Sequence, residues 1–123
     1  MNTSSIVLSI SLIVAGVIGI GLAIPMLLSK IPRNAFYGFR TKRTLDSDEI
    51  WYPANRFAAK GLLVWGMLNI LIGIISLWFH PLSDGAQLLL IIPPLSVILP
   101  CLISYLWIKK KFPETEQGAA ANP

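Results

Sequence analysis

The segment IPRNAFYGFRTKRTLDSDEIWYPANRF, residues 31–57, is a polar and aromatic stretch set between two long apolar runs. The 123-residue chain is 54% hydrophobic and only 13% charged, and nearly all of its charge lies in two clusters, residues 30–60 and 109–116. This composition is typical of a membrane protein and excludes an ordinary soluble domain. The length favours one domain, residues 1–123.

Three apolar runs are long enough to cross a bilayer, and we predict spans at residues 5–28, 58–79 and 86–108. As a helix, the first run would be about 36 Å long, which exceeds the roughly 30 Å of hydrocarbon in a bilayer. Lipid offers no partner for free backbone amides, and so short a chain cannot close a barrel, so the spans must be helices. No basic residue precedes the first run and no small-residue cleavage site follows it, so we expect a retained span and not a signal peptide. The predicted fold class is therefore all-α, an integral membrane protein with three transmembrane helices.

Lysine and arginine are distributed unevenly among the segments that connect the spans. Seven lie at residues 30–60, from the end of span one to the start of span two, three lie at residues 109–111, and none lies before span one or between spans two and three. Because such residues concentrate on the cytoplasmic side, we expect a multi-pass protein of the cell membrane with its N-terminus outside and its C-terminus cytoplasmic. The loop at residues 29–57 would then be cytoplasmic and structured. We expect the polar tail, residues 112–123, to be disordered.

Features inside the spans predict how they pack. The first span carries small residues at intervals of four, which suits close approach to another helix of the chain or to a second copy: Ser11, Ala15, Gly19 and Ala23. Asn69 must find a partner within the membrane, either in a neighbouring helix or in a ligand or transport pathway. Pro93, Pro94 and Pro100 predict a kink in the third span, or a discontinuous helix of the kind that lines transporter sites.

The sequence TLDSDE, residues 44–49, has the residue types that begin a helix. Asp46 and Glu49 are spaced for a capping box, which predicts a short helix from about Ser47. Pro53 would either end this helix or begin the next one at its first turn. A metal or acid/base cluster is the alternative interpretation of these acidic residues. The six aromatic residues of the loop predict that it lies along the headgroups or folds back beneath the helices.

Arg40 is the basic residue best suited to a specific contact. It follows the aromatic sequence YGF, and a guanidinium held against aromatic rings can pair with both oxygens of a phosphate or carboxylate. Gly38 permits a turn there, and Asn34, Thr44 and Asn55 add directional hydrogen-bonding groups. The neighbouring basic residues suit attraction to anionic lipid headgroups.

The patterns YGFRTKRT (residues 37–44) and ANRFAAK (residues 54–60) resemble the SdpI/YfhL family of small bacterial membrane proteins. The named members of that family include an immunity protein against a secreted peptide toxin. The resemblance covers residues 31–66 and implies no catalytic residues. It departs at Ala59, where the family often has glycine, and the toxin-immunity member is a longer protein with more spans. Besides Pro32, the matching positions are the candidate binding residues Asn34, Tyr37, Gly38, Arg40, Thr41, Thr44, Trp51, Asn55 and Arg56.

The functional hypothesis is a binding role of the immunity type, in which the protein protects against a membrane-active peptide or relays its presence. The alternative is an oligomeric small transporter or channel component.

The chain lacks nucleophile, phosphate-loop and metal-ligand motifs, so we expect no enzymatic activity, no cofactor and no metal. Cys101 is alone and His80 has no second ligand nearby. Expected partners are anionic lipid headgroups, a peptide toxin or protein, and a second copy of the chain. Topology and lipid account for the positive charge, so nucleic acid is not expected.

Overall fold

All regular structure in the computed structural model, which describes residues 3–79 and 82–113, is helical. Three stretches are long and apolar enough to cross a membrane: Thr3–Leu27, Asp48–Trp78 and Asp84–Lys111. The predicted all-α fold with three spans is therefore confirmed. The helices are α1 (Thr3–Leu27), α2 (Lys42–Asp46), α3 (Asp48–Trp78), α4 (Asp84–Leu89), α5 (Ile92–Leu95) and α6 (Ile98–Lys111).

The first two spans, α1 and α3, pack against each other along most of their lengths. A Cβ atom added to Gly66 would lie 2.8 Å from the carbonyl oxygen of Gly16, and one added to Gly73 would lie 2.7 Å from that of Ser9. At these points the backbones themselves are in contact. Close approach through small residues is how helices associate in lipid, where no hydrophobic force draws them together.

The face of α1 that packs on α3 differs from the predicted stripe. Gly19 and Ala23 are buried as expected, but Ser11 is exposed and donates its hydroxyl to the carbonyl of Val7 in its own helix. The buried face uses spacings of three and four, because a strict interval of four drifts around a helix of 3.6 residues per turn. Its members are Ser5, Ser9, Leu12, Gly16, Gly19, Ala23 and Met26.

Ala59 lies in the apolar cluster that joins α1 to α3 near the polar loop. It is fully buried, and the other buried members of the cluster are Ala23, Met26 and Ala58. The alanine at this position, where the family resemblance leads one to expect glycine, therefore fills space between the helices.

Asn69 shares the buried face of α3 with Gly66 and Gly73, and only 1% of it is exposed. Its amide donates to the carbonyl of Trp65, one turn earlier in the same helix, at 2.8 Å. Its side-chain oxygen has no hydrogen-bond partner within residues 3–79 and 82–113. The predicted interhelical hydrogen bond is therefore not made, because the carbonyl four residues earlier in the helix accepts the amide instead.

The third span is broken into α4, α5 and α6, as its prolines predict. At the break, the carbonyl of Pro93 accepts hydrogen bonds from the hydroxyl of Ser96 at 2.6 Å and from the indole of Trp65 at 3.1 Å. This carbonyl also accepts from the N–H of Ser96, so a backbone amide, a hydroxyl and a neighbouring helix bond to it in place of water. The span packs mainly through α6 on α3, where a Cβ atom added to Gly61 would lie 2.9 Å from Pro100.

The helix that forms the second span begins ten residues before the predicted boundary at residue 58, so the predicted loop at residues 29–57 includes its first turns. The hydroxyl of Ser47 caps α3 by accepting from the N–H of Glu49 at 3.1 Å. The predicted capping box of Asp46 and Glu49 is wrong, because Asp46 is the last residue of α2. Pro53 neither ends nor begins a helix but lies inside α3. Its missing N–H affects only the carbonyl of exposed Glu49, which solvent can reach.

Phe112, the first residue of the predicted disordered tail, makes two hydrogen bonds. The N–H of Phe112 donates to the carbonyl of Ile108, and its own carbonyl accepts from the guanidinium of Arg43. These bonds hold the chain through the end of α6. His80 and residues 114–123 of the predicted disordered tail lie outside the described residues.

Candidate functional site

Residues 31–57, called the clasp below, fold against the ends of α1 and α6 and include α2 and the start of α3. Asn34 organises the first half of the clasp. Its side-chain oxygen accepts from the N–H groups of Phe36 and Tyr37, and its amide donates to the carbonyls of Pro32 and Tyr37. This side chain stabilises the turn that contains Phe36 and Tyr37. Its own hydrogen-bonding groups are used in these bonds.

Gly38 lies at the centre of the clasp, against Asn55 and Trp51. Its φ of +114° is one that side chains rarely adopt, and an added Cβ would lie 2.6 Å from the side-chain oxygen of Asn55. That oxygen accepts from the N–H of Phe39 at 2.7 Å, and the Asn55 amide donates to the carbonyl of Trp51 at 2.9 Å. The indole N–H of fully buried Trp51 in turn donates to the carbonyl of Ile31 at 2.7 Å. The start of α3 therefore bonds to both ends of the preceding turn, at Ile31 and at Phe39.

Thr41 and Thr44 form the capping box that begins α2. The Thr44 N–H donates to the hydroxyl of Thr41 at 3.2 Å, and the Thr41 N–H donates to the hydroxyl of Thr44 at 2.7 Å. Fully buried Thr44 is thereby satisfied. These two predicted site residues position α2 and leave no group free for a ligand.

Three longer contacts join the clasp to the rest of the chain. The hydroxyl of Tyr37 donates to the carbonyl of Leu22 in α1, and burial raises the pKa of this phenol. Arg43 donates to the carbonyl of Phe112 beyond α6. Within the clasp, Arg33 pairs with Asp48 at 2.7 Å between partly exposed side chains. The clasp is thus attached to the first span, the third span and itself.

Arg40 and Arg56 differ from the other predicted site residues. Both are exposed, and neither makes an ion pair or hydrogen bond within the part of the chain that the structure describes. Their guanidinium groups therefore remain able to bind a carboxylate or phosphate. The structure brings Asn34, Gly38, Trp51 and Asn55 into one internal network, with Tyr37 bound to Asn34 and the Thr41–Thr44 box beside it, and leaves these two arginines on the outside.

Among the surface pockets that border the clasp, one is basic and one is apolar. The basic pocket, of about 280 Å³, is formed where α2 faces the end of α6, and its lining residues are Thr41, Lys42, Arg43, Tyr105, Ile108 and Lys109. The apolar groove, also about 280 Å³, lies between α1, α3 and α6 and is bordered by residues 36–39 of the clasp. In the sequence, Arg40 lies between residues 36–39, which line the groove, and residues 41–43, which line the pocket.

Sequence analysis did not identify the basic pocket. Lys42 and Arg43 were assigned only to lipid attraction, and Tyr105 and Lys109 lie more than sixty residues farther along the chain. No local pattern joins these two segments, because the pocket exists only where the third span returns beside α2. Within residues 3–79 and 82–113, no group of three or more His, Cys, Asp and Glu residues could hold a metal ion.

Comparison with known proteins gives a result that agrees with the resemblance carried by the clasp. The model of the SdpI/YfhL protein family matches residues 30–106. Over 78 residues the chain is 26% identical to the uncharacterized protein YfhL of Bacillus subtilis (strain 168), and the match spans 63% of this chain and 63% of that protein. No solved structure matches the chain. Because the family model covers well over half of its length, from the clasp through the third span, the chain belongs to the SdpI/YfhL protein family.

Proposed function

We propose that the protein is a membrane-bound binding protein of the immunity type, which protects the cell against a membrane-active peptide or relays the presence of that peptide. The observation that carries this proposal is the position of Arg40. It is exposed and unpaired among the described residues, and its neighbours in the chain line an apolar groove on one side, at residues 36–39, and a basic pocket on the other, at residues 41–43. A peptide that inserts into lipid has apolar side chains and at least one carboxylate, its C-terminus, so it matches this arrangement.

The rigidity of the clasp supports a binding role over a charged tether. Its internal polar groups are bonded to each other, so ordering it on binding costs little additional conformational entropy. A simple topological signal would need only a few lysines and no buried asparagine, tryptophan or threonine. The clasp therefore presents a shaped surface on which outward groups, including those of Arg40 and Arg56, are available to a partner.

We infer that the clasp and the C-terminus face the cytoplasm and the N-terminus faces outward, since basic residues occur in the clasp and at the end of α6. The test replaces Cys101 with serine and introduces single cysteines at Ser83 or Lys110, which are both exposed. On intact cells, a membrane-impermeant maleimide should label Ser83→Cys and not Lys110→Cys. The reverse pattern would overturn this orientation.

The immunity role is tested in cells that are sensitive to secreted membrane-active peptides. Wild-type protein, Arg40→Ala, Arg56→Ala and the control Lys110→Ala are expressed at equal abundance in the membrane, and survival is measured against a panel of such peptides. We expect wild-type protein and Lys110→Ala to protect, and Arg40→Ala to lose protection. Equal killing with and without the wild-type protein across the panel would remove the immunity role.

A second candidate is an oligomeric small transporter or channel component, and Asn69 is the observation that favours it. Its buried oxygen lacks a partner among the described residues, in the middle of a membrane-spanning helix. Three helices are too few to enclose a pathway, so this function requires self-association. Mass measurement in a mild detergent distinguishes the candidates, because a strict monomer would leave no pathway for transport.

A further inference from the structure

A second groove, distinct from the apolar groove beside the clasp, lies between α3 and α6. Its volume is about 410 Å³, and the two grooves share Pro100 and Ser104. It extends along α3 from Phe57 to Leu68, a distance of about 16 Å at 1.5 Å per residue. The residues that line it are Phe57, Lys60, Gly61, Val64, Trp65, Leu68, Ser96, Leu99, Pro100, Ile103 and Ser104.

The polar groups of this second groove are paired within the chain, with one exception. Ser104 donates its hydroxyl to the carbonyl of Pro100 at 2.7 Å, and both Ser96 and the indole of Trp65 donate to Pro93. The exposed ammonium of Lys60 makes no hydrogen bond or ion pair within the described ranges 3–79 and 82–113. The groove is therefore an apolar surface with one free cation, and no carboxylate lines it.

The position of Lys60 along the helix places that cation at the edge of the hydrocarbon layer. Trp78, at the other end of α3, lies eighteen residues away, which corresponds to about 27 Å of helix against a layer about 30 Å thick. A lysine at this depth extends its ammonium to the level of the lipid phosphates. Arg56, one turn earlier on the same face of α3 and within the clasp, is also exposed, and its side chain is unpaired among the described residues.

We propose that this groove is a binding site for one anionic phospholipid. The acyl chain lies between α3 and α6 against Val64, Leu68 and Leu99, and the phosphate pairs with Lys60 and Arg56. Phe57 closes the headgroup end of the groove, where its ring stacks on that of Trp107 at a centroid distance of 4.4 Å. Aromatic rings at this depth are well suited to the boundary between acyl chain and headgroup. The proposed site does not include Arg40, on which the proposed immunity role depends, although Arg56 and Phe57 belong to the clasp and the groove shares Pro100 and Ser104 with the apolar groove.

The experiment uses the full-length protein in phosphatidylcholine bilayers that contain a small fraction of brominated phosphatidylglycerol, whose bromine atoms quench nearby indoles. Trp78 is 84% exposed and is replaced by phenylalanine to remove its signal from bulk lipid. We expect brominated phosphatidylglycerol to quench more strongly than brominated phosphatidylcholine at equal mole fraction. Trp65→Phe should remove most of this excess, because Trp65 lines the groove and Trp107 lies only at its headgroup end.

The variants separate a site from general surface attraction. Lys60→Met should lower the relative affinity for phosphatidylglycerol about fivefold, Lys60→Arg should retain it, and the control Lys110→Met should leave it unchanged. Equal quenching by the two lipids, or an equal loss in Lys60→Met and Lys110→Met, would overturn the proposal. Competition by soluble glycerol phosphate would also overturn it, because the site would then take a free anion and not a lipid.

Discussion

Replacement of Gly38 by alanine is the sharpest test of whether the clasp is a folded unit. At φ +114° an alanine is strained, and its methyl group would lie 2.6 Å from the side-chain oxygen of Asn55 and 3.1 Å from the ring of Trp51. The contact with the Asn55 oxygen is the closer of the two, so Asn55 must shift. The hydrogen bond from the N–H of Phe39 to Asn55 is then lost.

The expected cost of Gly38→Ala has two parts. A residue other than glycine with left-handed backbone angles costs about 1–2 kcal/mol. Leaving the Phe39 N–H without its acceptor costs about 1–3 kcal/mol more. The free energy of opening the clasp should therefore fall by at least about 2 kcal/mol, which corresponds to an increase of about 30-fold in its open population.

Amide hydrogen exchange of the protein in lipid nanodiscs measures this population. Amides at residues 36–41 and 51–56 should exchange about 30-fold faster or more in Gly38→Ala, while those of α1 are unchanged. Gly21→Ala is the matched control, since an added Cβ there meets nothing within 4 Å. If Gly38→Ala exchanges in the clasp as slowly as Gly21→Ala, the network around Asn55 does not hold the clasp together.

Three further predictions concern the helix seam, Asn69 and Tyr37. Gly66→Ala should destabilise the α1–α3 pair by about 1–3 kcal/mol in detergent titrations, because its Cβ meets the backbone of Gly16, whereas Gly85→Ala, with open space around it, should not. Asn69→Leu should leave stability unchanged or raise it, because it removes a buried oxygen without a described partner; a loss above about 1 kcal/mol would contradict this. Burial raises the pKa of Tyr37 above its usual 10.0, so the folded protein keeps a proton that the unfolded chain releases. The resulting stabilisation is complete below pH 10 and is lost as the pH rises through the raised pKa, and denaturant titrations should show no such loss in Tyr37→Phe.

Hydropathy and length were sufficient to predict the number and type of the spans. A helix in lipid must satisfy its own backbone, so an apolar run of adequate length has only one conformation open to it. The break in the third span was equally local, because Pro93 and Pro94 lack the N–H groups that a continuous helix needs. The order of residues in the clasp was also sufficient to indicate the family, and the family model matches residues 30–106.

The start of the second span was predictable only in part, because a helix start near Ser47 was predicted but neither its actual caps nor its continuation through Pro53 into the span was. Asp46, Ser47 and Asp48 are all good helix caps, and local propensity does not choose among them. The choice was made by the capping box of Thr41 and Thr44, which begins α2 and places Asp46 at its end. Likewise, small residues occur on several faces of α1, and only packing on α3 distinguishes Gly16 from Ser11.

The roles of the polar residues in the clasp depended entirely on tertiary contacts. An asparagine in a loop can bind a ligand or close a turn, and the residue type is the same in both cases. Asn34 and Asn55 proved to be internal links, whereas Arg40 and Arg56 face outward without described partners. Arg43 meets Phe112 across 69 positions of sequence. Composition and periodicity therefore determine that this chain spans a membrane three times, while the surface available to a partner is determined by which hydrogen bonds the fold has already used.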